Sequence, residues 1–218
     1  SNPYANRDPR LAMSILTNNV EFKDRTIEAW TGGRDGKGVI HATRTGYYIY
    51  KFIDPNLDLL QNRTSVHHWV IMRYAEILLS YAEAMNEAYG PTGNVGYRLN
   101  AVRALNQVRN RVGVEMPAVP TAISKEELRE KIRNERRVEL AFEDHRFWDV
   151  RRWMIAEQEG VMSGAMYGIK IYWINSSPQE FRYTPYLYEN RTFTKKMYLH
   201  PFSTNEVNKG YLIQNPGY

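Results

Sequence analysis

A tryptophan in a glycine-rich, polar loop is the first feature of this 218-residue chain that could do chemistry. Trp30 lies in the stretch EAWTGGRDGKG, beside Arg34 and Asp35. A flat aromatic face framed by planar polar groups is the combination with which binding sites hold the ring of a pyranose sugar. Trp173, in IKIYWIN, is a second candidate. We therefore predict ligand-binding roles for Trp30, Arg34, Asp35 and Trp173. The alternatives are loop packing for Trp30 and a place in a strand core for Trp173.

The stretch from Asn134 to Trp153, NERRVELAFEDHRFWDVRRW, contains the carboxylates that acid–base catalysis on glycosides would need. Three of them recur every four residues and so share one helix face: Glu135, Glu139 and Glu143. Arg136 and Arg146 are the partners expected within helical reach, and a neighbouring guanidinium keeps a carboxylate ionised. We therefore interpret the stretch as two helices that meet at Asp144, locked by a half-buried Arg/Glu network, and we predict no catalytic residue.

The composition and the spacing of possible ligands argue against metal and cofactor sites. With no cysteine, disulfides, thiol catalysis and Cys-ligated metals are all excluded. Residues 54–65 imitate the start of a calcium loop, but Leu59 and Ser65 stand where Gly and Glu are needed. His67 and His68 are adjacent, so their side chains would diverge on a helix. We predict no metal and no cofactor.

Charge and hydropathy narrow the class of protein further. The 29 Lys and Arg against 24 Asp and Glu give a net charge of +5, but the charges are interspersed and form no nucleic-acid motif. A hydrophobic content of 43% fits a folded chain, and no apolar run is long enough to span a bilayer. The start, SNPYANRDPR, has no Met and no signal-peptide features. We expect the chain to be part of a longer protein.

Three regions must position these residues. Residues 1–64 are expected to be rich in loops, with a helical turn or strand near the start and a short strand in TGYYIYKFI. Residues 65–160 have the apolar period of helices. Residues 161–218 are expected to be irregular, apart from one helical turn capped by Ser203 and Glu206.

The helical region divides into four predicted helices. They begin at Ser65, near Tyr97, after a Ser124–Glu127 capping box and near His145, and they end near Gly90, Val112, the corner at Asp144 and Gly160. Apolar residues on their stripes are expected in the core: Trp69, Val138, Phe142, Phe147, Trp148 and Trp153. The predicted fold is mostly α, with tetratricopeptide-like helical hairpins, long irregular loops and minor short β-strands.

Six motifs in order carry a resemblance to a known family. They are RDPRL at 7–11, TRTGYYIYKF at 43–52, RYAEILLSYAEAMNE at 73–87, LNQVRNRVG at 105–113, IRNERRVELAFEDHRFWDVRRW at 132–153 and YLHPFSTNEVNKGYLIQNPGY at 198–218. Together they resemble the C-terminal portion of SusD/RagB-type proteins, over essentially the whole chain. Asp144 stands where that family often has Gly, and Asp tolerates the left-handed conformation that Gly would supply.

The resemblance implies a specific function. Such proteins bind oligosaccharides without being enzymes, on the extracellular face of the bacterial outer membrane. An N-terminal lipid anchor, which would lie outside this portion, holds them there. They deliver the glycan to a SusC-like TonB-dependent transporter. The fold expected for the family is mostly α, with tetratricopeptide-like helix pairs as the scaffold and long loops that carry the ligand site.

Two other classes of function stay open from the residues alone. One is a helical-repeat scaffold whose main role is to hold a protein partner. The other is a glycoside hydrolase that uses loop carboxylates such as Asp35 and Glu180. Sugar binding without turnover, capture of a barrel partner and release of reducing ends would separate the three.

Overall fold

A computed structural model describes residues 2–66 and 68–218. The described residues form six α-helices: α1 (Arg10–Ser14), α2 (Tyr74–Tyr89), α3 (Ala101–Arg109), α4 (Lys125–Glu139), α5 (His145–Arg152) and α6 (Thr204–Val207). They also form six strands: β1 (Ile15–Leu16), β2 (Glu21–Phe22), β3 (Arg25–Thr26), β4 (Tyr48–Ile49), β5 (Gly164–Ser176) and β6 (Gln179–Arg191). The strands pair antiparallel as β1–β4, β2–β3 and β5–β6. About 30% of the residues are helical and about 18% are in strands, so helix exceeds strand.

The main core lies between α2, α3 and α4. Each helix has a stripe of apolar residues three or four positions apart, and the three stripes meet in one cluster. Its fully buried members include Leu79, Ala82, Leu105, Leu128 and Ile132. Side-chain caps fix the starts of α3, α4 and α6, and the cap of α4 is the capping box that the sequence predicts. The hydroxyl of Ser124 accepts a hydrogen bond from the backbone N–H of Glu127 (3.2 Å), and the Glu127 carboxylate accepts one from the Ser124 backbone N–H (3.1 Å).

The helices are shorter than the apolar pattern predicts. The first begins at Tyr74 and not at Ser65, because Arg73 is extended and its guanidinium is bound by carboxylates. The next begins at Ala101, where the Asn100 side chain accepts from the N–H of Arg103, and not near Tyr97. The last ends at Arg152, well before Gly160. Trp69 therefore lies outside a helix and is 63% exposed, which corrects the prediction that it belongs to the core.

The corner between α4 and α5 disrupts the predicted apolar seam. Phe142 and Asp144 both have positive φ, 65° and 61°, so Asp144 does adopt the left-handed conformation expected of it. The turn rotates the chain out of helical phase. As a result, Phe142 (39% exposed) and Trp148 (61% exposed) face solvent. Leu140 and Val150 are buried in their place. The prediction of one apolar seam that continues across Asp144 is therefore wrong, because helical spacing does not hold through a left-handed turn.

The Arg/Glu network exists, but its cations come from distant parts of the chain. Glu135, Glu139 and Glu143 are all buried on the inner face of the corner. Arg10, on α1, donates to Glu135 (2.6 Å) and to Glu139 (2.9 Å). Arg73 donates to Glu139 (2.7 Å) and to Glu143 (2.7 Å). The network thus ties the start of the chain and the start of α2 to the corner.

Three further cations complete this network. Arg109 donates to Glu135 (2.6 Å), Arg111 to Glu139 (3.0 Å), and Lys51 to Glu143 (2.5 Å). Arg136, which the sequence assigns to these glutamates, instead donates to Asp149 on α5 at 2.9 Å, and both side chains are buried. This second pair closes the corner between α4 and α5.

The network predicts that acid destabilises the fold. Burial by itself raises the pKa of Glu139 and of Glu143, but hydrogen bonds from Arg73, with Arg10 or Lys51, outweigh it and hold each pKa below its usual 4.5. A carboxyl whose pKa is lower in the folded state stabilises the fold above its unfolded pKa and loses that contribution as pH falls through the folded pKa. We therefore expect the unfolding temperature to be constant from pH 7 to about 5.5 and to fall below about pH 4.5.

Circular dichroism melts at a series of pH values would test this dependence. The double variant E139Q/E143Q should start from a lower unfolding temperature and show a shallower acid dependence, because its amides do not titrate. Equal acid slopes for the variant and the unmodified protein would show that other carboxyls govern acid unfolding.

Within the region 161–218, residues 164–191 are not irregular, which is a further correction. β5 and β6 form a long antiparallel hairpin in which Ile171 pairs with Tyr183 and Trp173 with Phe181. One face of the hairpin packs on a second core cluster that contains Leu16 and Ile27. Tyrosines on both faces of β6 blur its alternation, so the sequence indicates a strand only around Trp173, as the alternative to its binding role. The predicted cap of α6 is present, since the Ser203 hydroxyl accepts from the Glu206 N–H (3.3 Å).

The short elements near the start agree with the sequence. Residues 10–16 contain both a helical turn, α1, and a strand, β1, and the Tyr-rich run supplies β4, its partner. Across the described ranges, no helix has the length and apolar character that crossing a membrane requires.

Candidate functional site

The loop that contains Trp30 is held closely against the hairpin. The N–H of Thr31 donates to the carbonyl of Ile171 on β5 (2.8 Å), and the N–H of Gly33 donates to the carbonyl of Trp30 (2.9 Å). A Cβ at Gly36 would lie only 2.1 Å from the Trp30 carbonyl oxygen. Only glycine fits there, so the glycine-rich composition of the loop serves to fold it tightly around Trp30.

The structure brings the two predicted tryptophans together. The ring centroids of Trp30 and Trp173 are 4.7 Å apart at an interplanar angle of 78°, an edge-to-face contact. Phe181, opposite Trp173 on the hairpin, completes the group at 5.3 Å from Trp30 and 5.5 Å from Trp173. Trp30 is half-buried against the second core, whereas Trp173 is 41% exposed. Trp173 is therefore the ring with more surface to offer a ligand, and Trp30 supports it.

Arg34 and Asp35 are engaged in holding the loop. Asp35 accepts two hydrogen bonds from the guanidinium of Arg25, at 2.6 and 2.7 Å, and one from the N–H of Glu28 at 2.8 Å. Arg34 donates to the carboxylate of Glu28 (3.1 Å) but remains exposed. Of the two, Arg34 keeps donors that can reach a ligand, while Asp35 is mainly a structural residue of the loop.

The same contacts argue against acid catalysis by Asp35. The hydrogen bonds from Arg25 lower the pKa of the Asp35 carboxyl, so that it is ionised at neutral pH. A general acid must hold a proton at the working pH. Glu180, the other carboxylate considered for hydrolysis, lies on β6 beside the aromatic group. A carboxylate committed to a bidentate ion pair does not fit the acid role in a glycosidase pair.

A polar cleft next to the aromatic group is a feature that the sequence did not indicate. Its volume is about 310 Å³, and Phe181 of the aromatic group and the nearby Tyr183 form part of its wall. The remaining lining residues are Asn2, Tyr4, Thr17, Asn18, Asn19, Val20, Gln179 and Glu180. Asn18 is buried, and its side-chain oxygen accepts from the N–H of Ala29 (3.0 Å). The wall joins residues about 160 positions apart, and no local pattern signals such a cleft.

The described residues contain no group of three or more His, Asp or Glu side chains that could hold a metal ion. His67, one of the adjacent pair considered in the sequence, lies outside the described residues. The candidate site therefore consists of the aromatic group of Trp30, Trp173 and Phe181, the exposed Arg34, and the adjoining cleft. Aromatic faces beside amide and carboxylate groups suit the binding of a sugar.

Comparison with known proteins gives a consistent result. SusD-like protein P2 of Formosa agariphila is 35% identical over 111 residues, which are 49% of this chain and 20% of that protein. The crystal structure of a SusD-like protein from Bacteroides fragilis matches with a TM-score of 0.76 and 32% identity, over 99% of this chain and 40% of that one. A SusD-like carbohydrate binding protein from the same species matches with a TM-score of 0.73 and 28% identity, over 95% and 42%.

The match to each of these relatives covers less than half of the relative's length. The sequence profile of the SusD family matches residues 1–218. The resemblance carried by the six motifs is thereby confirmed. This chain belongs to the SusD family.

Proposed function

We propose that this chain binds oligosaccharides at the bacterial cell surface and does not cleave them. The observation that carries the proposal is the SusD family match over residues 1–218. One structurally similar relative is described as a carbohydrate binding protein. The aromatic group and the adjoining cleft supply the surface types that a sugar site requires.

In this proposal, Trp173 stacks on a sugar ring from its place on the hairpin. Trp30 holds Trp173 in orientation through the edge-to-face contact at 4.7 Å. Arg34 contributes hydrogen-bond donors from the loop, and Asp35 fixes the loop through Arg25. Asn and Gln side chains of the cleft would bind hydroxyl groups of a neighbouring sugar unit.

The wider assignment follows the family. We propose that the chain is the C-terminal portion of a longer SusD-like protein, anchored by an N-terminal lipid on the extracellular face of the outer membrane. Its glycan would pass to a SusC-like TonB-dependent transporter. We also propose that the helices between residues 65 and 160 stack as tetratricopeptide-like pairs, with 1–64 and 161–218 as the ligand-bearing regions.

A protein-binding role has one observation in its favour. The extended segment before α2 and the start of that helix expose large apolar side chains: Val66, Trp69, Ile71, Met72 and Tyr74. Contiguous apolar surface of this kind marks interaction sites. This role is compatible with sugar binding, because transport would require both a glycan and a protein partner.

Affinity gel electrophoresis of the protein in starch, xylan, polygalacturonate and carrageenan tests the proposal. We expect retardation in at least one of these gels, with no increase in reducing ends when the same polysaccharide is incubated with the protein. Reducing ends would favour the hydrolase alternative. Absence of retardation in every gel, together with capture of a transporter barrel, would favour the scaffold alternative.

A further inference from the structure

The hairpin has a second face that the aromatic group does not use. Side chains alternate between the two faces of a strand, so Ile171 and Phe181, which pack towards the core, have neighbours that point the other way. Residues directly opposite each other across the hairpin share a face. The outward pairs are Gly168 with Tyr186, Lys170 with Thr184, and Tyr172 with Arg182.

Cations and tyrosines are interleaved on this outward face. The guanidinium of Arg182 lies 5.0 Å from the centroid of the Tyr172 ring. The ammonium groups of Lys37 and Lys170 both approach the Tyr186 ring, at 4.1 and 5.3 Å from its centroid. We call these five residues the cation–tyrosine face: Lys37, Lys170, Tyr172, Arg182 and Tyr186.

The tyrosine between the two lysines is fixed in place. The Tyr186 hydroxyl donates to the backbone carbonyl of Arg44, in the segment that runs beside β5. The N–H of Ile169 donates to the carbonyl of Thr45 (2.8 Å), which ties the same segment to the strand. A Cβ at Gly168 would lie 3.0 Å from the Tyr186 ring, so the ring lies flat on that part of the strand.

Carboxylates do not neutralise this face. Within residues 2–66 and 68–218, none of Lys37, Lys170 and Arg182 makes an ion pair, whereas neighbouring arginines do. The nearby carboxylates are committed elsewhere: Asp35 to Arg25, Glu28 to Arg34 and Glu189 to Arg191. Glu180, two positions from Arg182, lines the cleft.

Two ammonium groups on one ring repel each other, and a bound anion would relieve that repulsion. A guanidinium stacked on a tyrosine keeps the N–H groups at its edge, which can grip a carboxylate or sulfate with two parallel hydrogen bonds. The tyrosine rings hold these cations in place through cation–π contacts. The face is therefore organised for the recognition of anionic groups.

We propose that the cation–tyrosine face binds an acidic oligosaccharide, one whose sugar units carry carboxylate or sulfate groups. The inference rests on the proposed glycan-binding function and adds to it a second site, with the class of sugar that this site takes. The anionic groups of the ligand are held by Arg182 and by the two lysines around Tyr186, and the rings of Tyr172 and Tyr186 keep these cations in position.

The test compares the double variant K170A/R182A with the matched control R103A/R137A. This control removes two exposed arginines from α3 and α4 that make no ion pair with the other described residues. Isothermal titration would use oligogalacturonate, carrageenan oligosaccharide, maltohexaose and poly-glutamate. We expect K170A/R182A to bind at least one acidic oligosaccharide roughly tenfold more weakly, since bonds between charged groups are worth more than 1.4 kcal/mol. The control should bind as the unmodified protein does.

Two further measurements test the inference even if the double variant misfolds. The single variant K37A changes only a loop side chain. It should weaken the binding of the same oligosaccharide roughly threefold, an effect of about 0.7 kcal/mol. Raising the salt concentration from about 0.05 to 0.5 M should weaken acidic binding by the unmodified protein and leave neutral binding unchanged. Preference for oligogalacturonate over carrageenan would identify carboxylate as the recognised group, and the reverse preference would identify sulfate.

The outcomes distinguish failure of this inference from failure of the proposed glycan-binding function. If maltohexaose binds and the acidic sugars do not, the acidic-ligand inference is wrong and the glycan-binding function stands. Equal losses in K170A/R182A and R103A/R137A, or equal affinity for poly-glutamate, would also overturn it, because charge alone would then explain binding. If no glycan binds at all, both proposals fail.

Discussion

Replacing Glu139 by alanine is expected to lower the free energy of unfolding by about 3–5 kcal/mol, the cost of removing one partner from a buried ion pair. Glu139 accepts hydrogen bonds from Arg10 (2.9 Å), Arg73 (2.7 Å) and Arg111 (3.0 Å), and it is 2% exposed. Without the Glu139 carboxylate, the buried guanidinium of Arg10 would lose one of the anions that balance its charge. A loss of this size is a large share of the roughly 5–15 kcal/mol that stabilises a typical domain.

Urea unfolding followed by circular dichroism would measure this loss, with Glu87→Ala as the matched control. Glu87 also pairs with an arginine, Arg129, at 2.6 Å, but it is exposed, so its removal should cost less than about 1 kcal/mol. Glu139→Gln, which keeps the volume and one acceptor, should fall between the two. If Glu139→Ala and Glu87→Ala cost the same, burial does not make this network important for stability.

The network shows which parts of the fold local sequence patterns can predict. Features that depend on a few neighbouring residues were predicted correctly: the capping box at Ser124, the left-handed Asp144, and the apolar stripes of the helices. The three buried glutamates were also identified as structural. Each of these depends on hydrogen bonds or side-chain spacing within one or two turns of helix.

The partners of those glutamates depend on contacts over long sequence separations. Arg10 lies 129 residues from Glu139, and Arg73 lies 66 residues from it. Any arginine in the sequence could serve as a partner, and Arg136, the one expected from helical reach, pairs with Asp149 instead. The exposed Trp148 was misplaced for a similar reason, since a single left-handed turn changes which face of the chain is buried.

The ligand-binding roles of Trp30 and Trp173 stay a prediction. The sequence suggests the two residues on separate grounds, and the structure places their rings in contact. The sequence does not predict the hairpin that brings them together, because tyrosines on both faces of β6 blur its alternation. The cleft and the cation–tyrosine face both require the cross-strand register, which the sequence does not reveal.

The structure also determines which tryptophan should be changed first. Trp30 packs against the second core, so Trp30→Ala would leave a cavity and lower stability along with any binding. Trp173 is the more exposed ring, and its loss disturbs fewer buried contacts. A change in affinity without a large change in unfolding temperature is therefore expected at Trp173 and not at Trp30.

Trp173→Ala is expected to weaken oligosaccharide binding by about 2 kcal/mol, or roughly thirtyfold, the effect of removing an aromatic residue at the centre of a binding surface. The polysaccharide that retards the unmodified protein most strongly would serve as the ligand in affinity gels and titration calorimetry. Trp148→Ala, which removes a 61% exposed tryptophan from α5, is the matched control and should leave affinity unchanged. Trp173→Phe should recover part of the loss, because a smaller ring still stacks on a sugar. If Trp173→Ala binds as tightly as the Trp148→Ala control, the sugar platform lies elsewhere, and the contact between Trp30 and Trp173 serves only to pack the loop against the hairpin.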